Sequence, residues 1–220
     1  MSVSRYDAGN RPCVSVQAHL SPALSAMQVH IEHKLLASLP MIQEVSHHLL
    51  DARGKQIRPI CVLLSASIHG YTMGDQHIAL AGIVELLHAA TLLHDDVIDQ
   101  ADQRRGKQPA HAIWGNRSAI LVGDYLYAMA FEWIAELEKA DVIQALARST
   151  RIIVEGEVRQ LLATKSSNFS LQGVLATNQA KTAELFGIAF KLGAMIADVS
   201  EDIGQAAYAL GLDFGMLYQL

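Results

Sequence analysis

Residues 76–102 read QHIALAGIVELLHAATLLHDDVIDQAD, and this stretch decides the fold. Its large apolar residues fall on nearly all sides of a helix: Ile78, Leu80, Ile83, Val84, Leu86, Leu87, Leu92 and Leu93. A helix that is apolar all round is buried in the middle of a larger assembly of helices. The stretch therefore predicts the central helix of an all-α bundle.

The rest of the chain also has a helical composition. Long stretches between its five prolines lack strand-like alternation and are rich in Ala, Leu, Met, Gln and Glu, which favours helices joined by short turns. Ser21-Pro22 predicts a helix start, because serine is a good N-cap and proline suits the first helical position. Helices are predicted near 22–38, 40–51, 56–69, 76–102, 116–138, 141–164, 171–197 and 201–219, with loops at 70–74, 105–115 and 165–170.

Length and composition are those of one domain over 1–220 and exclude several classes of protein. Apolar residues make up 51% and charged residues 18%, which excludes a disordered chain. The 22 acidic and 17 basic residues leave a net charge of −5 and argue against nucleic-acid binding. Cys13 and Cys61 lack metal-ligand spacing and are expected to be free thiols. No stretch is predicted to span a membrane or to act as a secretory signal, so we expect a cytoplasmic protein.

The C-terminal end of the central helix carries an unusual concentration of acids. His94 is followed by Asp95, Asp96, Asp99 and Asp102, although carboxylates are unfavourable where the helix dipole is negative. Asp95 and Asp99 lie four residues apart on one face, and oxygen ligands of this kind suit Mg²⁺. A solvated acidic helix end is the alternative. The following sequence RRGK (104–107) favours a diphosphate site, because arginines bind phosphate oxygens that the metal leaves exposed.

A second basic cluster, GKQIRP at 54–59, is predicted to open an earlier helix. Lys55 and Arg58 are three residues apart and can face the same way, near a helix N-terminus that favours anions. Lysine and arginine at a helix start are more often simply exposed to solvent. His88 lies two helical turns before Asp95, either as a hydrogen-bonded core residue or as an extension of the phosphate-binding wall.

Taken together in this order, several motifs resemble the trans-isoprenyl (polyprenyl) diphosphate synthase family. They are GKQIRP (54–59), ELLHAATLLHDDVID (85–99), RRGK (104–107), GNRSAILVGDYLYAMAF (115–131), EGEVRQL (155–161), KTAELF (181–186) and GLDFGMLYQL (211–220). The segment around the aspartates most resembles the long-chain, octaprenyl-type members that make precursors of quinone side chains. The resemblance implies an all-α bundle around a deep central cavity, normally a homodimer.

The resemblance also implies a role for each matching residue. Asp95 and Asp99 would bind the metal ion, and Asp96 completes the motif. Arg104 and Lys181 would bind the allylic diphosphate. The residues that would bind isopentenyl diphosphate are Lys55, Arg58, His88 and Arg105. Thr182 and Gln219 would line the reacting carbons beside Lys181 and stabilise the allylic cation. The implied reaction is Mg²⁺-dependent head-to-tail (1′-4) prenyl transfer.

Product length is expected to depend on the residues one turn before Asp95. Short-chain members of the family often carry an aromatic residue here that closes the tunnel. Ala90 and Thr91 are small, so an open tunnel and a long-chain product are expected. The alternative is that these small residues only allow close helix packing.

Two departures from the family pattern bear on activity. Arg53 and Gln56 stand where the family commonly has glycine and arginine, while Lys55 and Arg58 match. The sequence stops at Leu220, before the family's second aspartate-rich motif. We expect a fragment that holds the N-terminal two-thirds of the family domain and is inactive alone, and a natural short homologue is the alternative.

Two other classes of protein are the alternatives. A non-catalytic homologue or regulatory subunit would show erosion of the aspartates or arginines, and these are intact. A terpene cyclase shares the aspartate motif but needs no isopentenyl site.

Overall fold

The computed structural model describes residues 11–50, 54–72, 74–104, 106–166 and 170–219. Within these ranges every regular element is a helix, which confirms the predicted all-α class. The elements are α1 (Arg11–Leu36), α2 (Pro40–Leu50), α3 (Ile57–Ile68), α4 (Gln76–Ile98), α5 (Ala110–Trp114), α6 (Asn116–Ala135), α7 (Ala140–Ser166), α8 (Leu171–Asn178), a π-helical turn (Gln179–Ala183), α9 (Glu184–Ile196) and α10 (Glu201–Gln219).

Helix α4 lies at the centre, as its apolar sequence predicts. It packs against α1, α3, α6 and α9, and its fully buried side chains include Leu80, Ile83, Leu86, Leu87 and Leu93. By length and composition alone α4 could cross a membrane, but 67% of its most apolar window is buried inside the protein. Its apolar character is therefore accounted for by neighbouring helices.

Two glycines let neighbouring helices pack closely against each other. A Cβ at Gly82 of α4 would lie 2.5 Å from the indole ring of Trp133 in α6. A Cβ at Gly193 of α9 would lie 2.3 Å from the carbonyl oxygen of Val62 in α3. Contacts this short do not occur between real atoms, so both helix pairs depend on the absence of a side chain.

The prediction that the first helix starts at Ser21-Pro22 is wrong. Helix α1 already runs from Arg11 and contains Pro22. A proline inside a helix removes one backbone hydrogen bond, but the buried stripe of α1 continues across it: Leu20, Leu24, Met27, Ile31 and Leu35. Packing against the core therefore maintains the helix through the proline.

Two predicted boundaries also differ, and one predicted helix contains a turn that was not expected. Helix α4 ends at Ile98, because Asp99 caps it and Gln100 adopts a left-handed conformation, so Asp102 lies beyond the helix. The predicted loop at 105–115 contains the short helix α5. The single helix predicted over 171–197 is divided by the π turn into α8 and α9.

Candidate active site

Three carboxylates from two helices meet at one ammonium group. Lys181 Nζ donates a hydrogen bond to Glu157 Oε2 at 2.9 Å. The same nitrogen lies 3.6 Å from Asp95 Oδ2 and 4.0 Å from Asp99 Oδ2. Helix α4 supplies Asp95 and its C-cap is Asp99. Helix α7 supplies Glu157, and the π turn supplies Lys181. The structure thus brings together the predicted metal ligands Asp95 and Asp99 with the predicted diphosphate ligand.

The cluster contains more acidic than basic groups, since three carboxylates surround one ammonium group. Burial raises the pKa of Asp95, and burial also raises the pKa of Glu157, in each case against the lowering effect of Lys181. Burial opposes the charge of Lys181, but its hydrogen bond to Glu157 and the nearby carboxylates outweigh that effect and raise its pKa. Lys181 therefore stays charged at neutral pH, and the cluster favours a further cation.

The cluster suits a divalent cation that is shared with an anionic ligand. Among the residues that the structure describes, no three His, Cys, Asp or Glu side chains are arranged to hold a metal ion by themselves. Mg²⁺ commonly binds one or two carboxylates together with water and substrate phosphates. Asp95 and Asp99 both approach Lys181 Nζ and are carboxylates of the kind that such an ion binds. Glu157 Oε1 is buried and has no hydrogen-bond partner within the described ranges, which leaves further acceptor capacity beside them.

Asp96 lies apart from this cluster. Only 1% of Asp96 is exposed, and its Oδ1 accepts hydrogen bonds from Nε of Arg104, at 2.9 Å, and from Nη2 of the same side chain. Backbone hydrogen bonds in both directions join Arg104 to Lys107 and close the turn that carries the arginine. The structure therefore places Asp96 with Arg104 instead of with the Asp95–Asp99 pair. Arg104 is held near the aspartates by this buried ion pair.

The predicted isopentenyl diphosphate residues are only partly brought together. Arg58 Nη1 and His88 Nε2 lie 3.1 Å apart in a hydrogen bond between α3 and α4. Lys55 is exposed and lies before the helix, because Gln56 adopts a left-handed conformation with φ of 47° and α3 begins at Ile57. Lys55 therefore precedes α3 while Arg58 lies in its first turn, and their joint role in binding a diphosphate stays a prediction. Arg105 lies outside the described residues.

Two cavities open beside the cluster. A cleft of about 670 Å³ between α7 and α8 is lined by Lys181, Thr182 and Gln219, the three predicted catalytic residues. A second cavity of about 230 Å³ lies between α4 and α7 and has Asp95 and Glu157 in its wall. The rest of that wall is mostly apolar and includes Leu87, Ile98, Ile153, Val154, Val158 and Leu185. The charged cluster thus stands beside both a cleft lined by polar and apolar residues and a mostly apolar cavity.

The family model described as polyprenyl synthetase matches residues 39–220. The chain belongs to the polyprenyl synthetase family. The match includes every motif that carries the resemblance in sequence, from GKQIRP to the end of α10.

Three known proteins show how far the similarity extends. Octaprenyl diphosphate synthase of Haemophilus influenzae is 34% identical over 205 residues, covering 93% of this chain and 62% of that protein. Heptaprenyl diphosphate synthase component 2 of Geobacillus stearothermophilus is 37% identical, covering 94% and 64%. The crystal structure of polyprenyl synthase from Caulobacter crescentus CB15, complexed with calcium and isoprenyl diphosphate, has a TM-score of 0.89 and 38% identity, covering 93% and 62%. The chain therefore spans less than two thirds of these relatives.

The two predicted chain-length residues occupy different places. Thr91 lines the apolar cavity of the synthetase domain, and its hydroxyl donates to the carbonyl oxygen of His88. Ala90 is fully buried and is not among the residues that line that cavity. For Ala90 the close-packing alternative fits the structure better, whereas a role in product length stays a prediction for Thr91.

Sequence reasoning missed Glu157, although it noted the EGEVRQL motif. A lone acid on an amphipathic helix gives no signal of function. The neighbouring Gly156 gives a clearer one, because a Cβ there would lie 2.8 Å from Ala180 Cβ and 3.1 Å from the backbone nitrogen of Lys181. Gly156 lets α7 approach the π turn closely and so brings Glu157 to Lys181. Single π turns of this kind are frequent at functional sites.

Proposed function

We propose that this chain forms the substrate-binding N-terminal part of a Mg²⁺-dependent prenyltransferase. It would condense isopentenyl diphosphate with an allylic diphosphate, head to tail, to give a long-chain polyprenyl diphosphate. The observation that carries the proposal is the convergence of Asp95, Asp99 and Glu157 on Lys181 beside an apolar cavity. Such a site combines cation binding, anion binding and an apolar wall, which a growing isoprenoid chain requires.

Each group in the site has a task in this reaction. Asp95 and Asp99 would hold Mg²⁺, which stabilises the charge that develops on a departing diphosphate. Lys181 and Arg104 supply positive charge for the allylic diphosphate at the same edge of the bundle. Arg58 and His88, which are hydrogen-bonded to each other, would orient isopentenyl diphosphate so that its alkene faces the allylic carbon.

The two cavities separate the reacting centre from the product chain. Thr182 and Gln219 line the cleft next to Lys181 and would stabilise the allylic cation through their oxygens. The apolar cavity that has Asp95 in its wall would exclude water from the allylic carbocation and accept the hydrocarbon chain of the product. Two long-chain relatives, an octaprenyl and a heptaprenyl synthase, support a long product.

The proposal includes the oligomeric state of the protein, which we take to be a homodimer. One relative is component 2 of heptaprenyl diphosphate synthase, which favours a second candidate, a catalytic subunit that works with a different partner chain. Sedimentation of the purified protein separates a self-associating chain from one that is monomeric alone.

The binding proposal is tested by titrating geranyl diphosphate into the purified chain with Mg²⁺ and with EDTA. We expect binding that needs Mg²⁺, is lost in Asp95→Ala and is retained in Lys139→Ala. Lys139 is a suitable control because it pairs with Asp198, outside the cluster. Equal binding with EDTA, or full affinity in Asp95→Ala, would contradict the proposal.

Turnover is measured separately with labelled isopentenyl diphosphate. We expect no elongation from these 220 residues alone, since the chain covers about 62% of the Haemophilus relative. Robust product formation by the purified chain would show that the remaining third of such relatives is dispensable.

A further inference from the structure

Arg58 has a second partner besides His88. Its guanidinium carbon lies 4.4 Å from the centre of the Phe186 ring. A guanidinium within about 6 Å of a ring centre is attracted by the electron-rich face of the ring. The ring itself is fully buried, so the attraction acts where water screens it weakly. Arg58 of α3 is therefore bound to a residue of α9.

The Phe186 ring is itself held firmly from the side of α10. It makes an edge contact with Phe214, with ring centres 5.4 Å apart, and a tilted contact with Tyr218, also at 5.4 Å. Gly215 lies against the same ring, because a Cβ there would stand 3.0 Å from Phe186 Cδ2 and 2.5 Å from Ala183 Cα. The ring is therefore packed against α10 on several sides, and displacing it would require α10 to move.

We infer that Phe186 is a positioning residue for Arg58: its immobile ring fixes the guanidinium in the orientation that receives a diphosphate. The attraction to a ring acts on the face of a guanidinium, whereas its hydrogen bonds run along its edges. Phe186 and a diphosphate can therefore bind Arg58 at the same time without competing for donors. His88, which contacts Nη1, fixes the rotation of the guanidinium on the ring.

This inference rests on the proposed function only for the identity of the anion, isopentenyl diphosphate. It explains why a bulky aromatic residue, Phe186, lies five residues after Lys181. The π turn directs Lys181 and Thr182 into the cleft, while the next turn directs Phe186 under Arg58. One short segment thus serves both diphosphate positions.

The test weakens the ring electrostatics without changing ring shape. Phe186 is replaced by 4-fluoro-, 3,5-difluoro- and 3,4,5-trifluorophenylalanine in the full 220-residue chain, and isopentenyl diphosphate is titrated by calorimetry. We expect the association constant to fall stepwise, by roughly three- to tenfold at the trifluoro variant. The same series at Phe190, which is buried in the same helix and contacts Phe214, should leave the affinity unchanged.

A second measurement needs no ligand. In the ¹⁵N-arginine spectrum of the wild-type protein, the Arg58 side chain should show a ring-current shift and slow rotation about its Nε–Cζ bond. Both should be lost in Phe186→Leu and reduced along the fluorinated series. A wild-type Arg58 signal that is unshifted and rotates freely would overturn the inference.

Loss of the anion site and loss of the Phe186 contact give different results. If Arg58→Ala leaves the affinity for isopentenyl diphosphate unchanged, the proposed anion site is wrong, and the arginine spectrum alone decides whether Phe186 positions Arg58. If Arg58→Ala weakens binding but fluorination of Phe186 does not, the proposed site stands and the positioning role is refuted.

Discussion

Replacing Gly156 by alanine tests whether close packing of α7 against the π turn builds the site. The new Cβ would lie 2.8 Å from Ala180 Cβ and 3.1 Å from the backbone nitrogen of Lys181. Restoring an ordinary contact of about 3.5 Å requires the two segments to separate by about 0.7 Å. Two of the three nearest atoms are backbone, so a change of rotamer cannot relieve the contact.

Two opposing effects set the size of the change in stability. Alanine is about 1 kcal/mol more favourable than glycine inside a helix, whereas overpacking a close contact costs about 1–3 kcal/mol. Gly156→Ala is therefore expected to lower the free energy of unfolding by about 0–2 kcal/mol. Gly204→Ala is the matched control, because a Cβ there would lie 4.0 Å from its nearest neighbour atom, Met195 Cγ. That variant should be more stable than wild type by about 1 kcal/mol.

Urea unfolding followed by circular dichroism measures both variants, and geranyl diphosphate titration measures the site. Separation of the segments should lengthen the 2.9 Å contact between Lys181 and Glu157 and weaken Mg²⁺-dependent binding in Gly156→Ala but not in Gly204→Ala. If the two variants gain equal stability and bind equally well, the close approach of α7 is not what holds the site together.

Three further predictions follow from individual side chains. Asp95→Ala should leave helicity and the free energy of unfolding near wild type while abolishing Mg²⁺-dependent diphosphate binding, because the carboxylate is partly buried and lies at an unfavourable helix end; a loss of helicity would point to a structural role instead. Thr91→Phe should shorten the product made by a complete enzyme, as judged by chromatography of dephosphorylated products, whereas Ala90→Phe should chiefly destabilise the core; identical products from wild type and Thr91→Phe would exclude the cavity as the product tunnel. Burial and the hydrogen bond to Glu184 raise the pKa of Tyr208, so the folded state should lose stability as the pH rises above about 10; pH-dependent urea unfolding should show this loss in wild type and less of it in Tyr208→Phe.

The central helix and its acidic end could be predicted because both signals are local. An apolar surface on all sides of α4 has few explanations besides burial, and Asp95 and Asp99 share a face through helix geometry alone. Their convergence with Lys181 could not be derived from spacing, because these residues lie more than eighty positions apart. There the family resemblance, and not the physical pattern, named the residue.

The failures of prediction also have physical causes. Ser21-Pro22 has the chemistry of a helix start, but burial of Leu20 and Leu24 on either side of the proline maintains α1 through it. Residue preferences do not predict the left-handed conformation of Gln56, so the orientation of Lys55 relative to Arg58 could not be derived from their spacing. Asp96 could not be distinguished from its neighbours by sequence, because only the packed structure shows its burial and its bond to Arg104.

The π turn has a consequence for changes in chain length. A π turn carries one residue more than the α-helical turn it replaces. Deleting one residue within 179–183 would let α8 and α9 run on as a single α-helix without rotating one relative to the other, because an α turn covers the same rotation with one residue fewer. The core face of α9 would keep its place, while Lys181 would lose the position in the π turn that brings it to Glu157. A single deletion could thus preserve the fold and remove the site, so the length of this segment is constrained by chemistry more tightly than by folding.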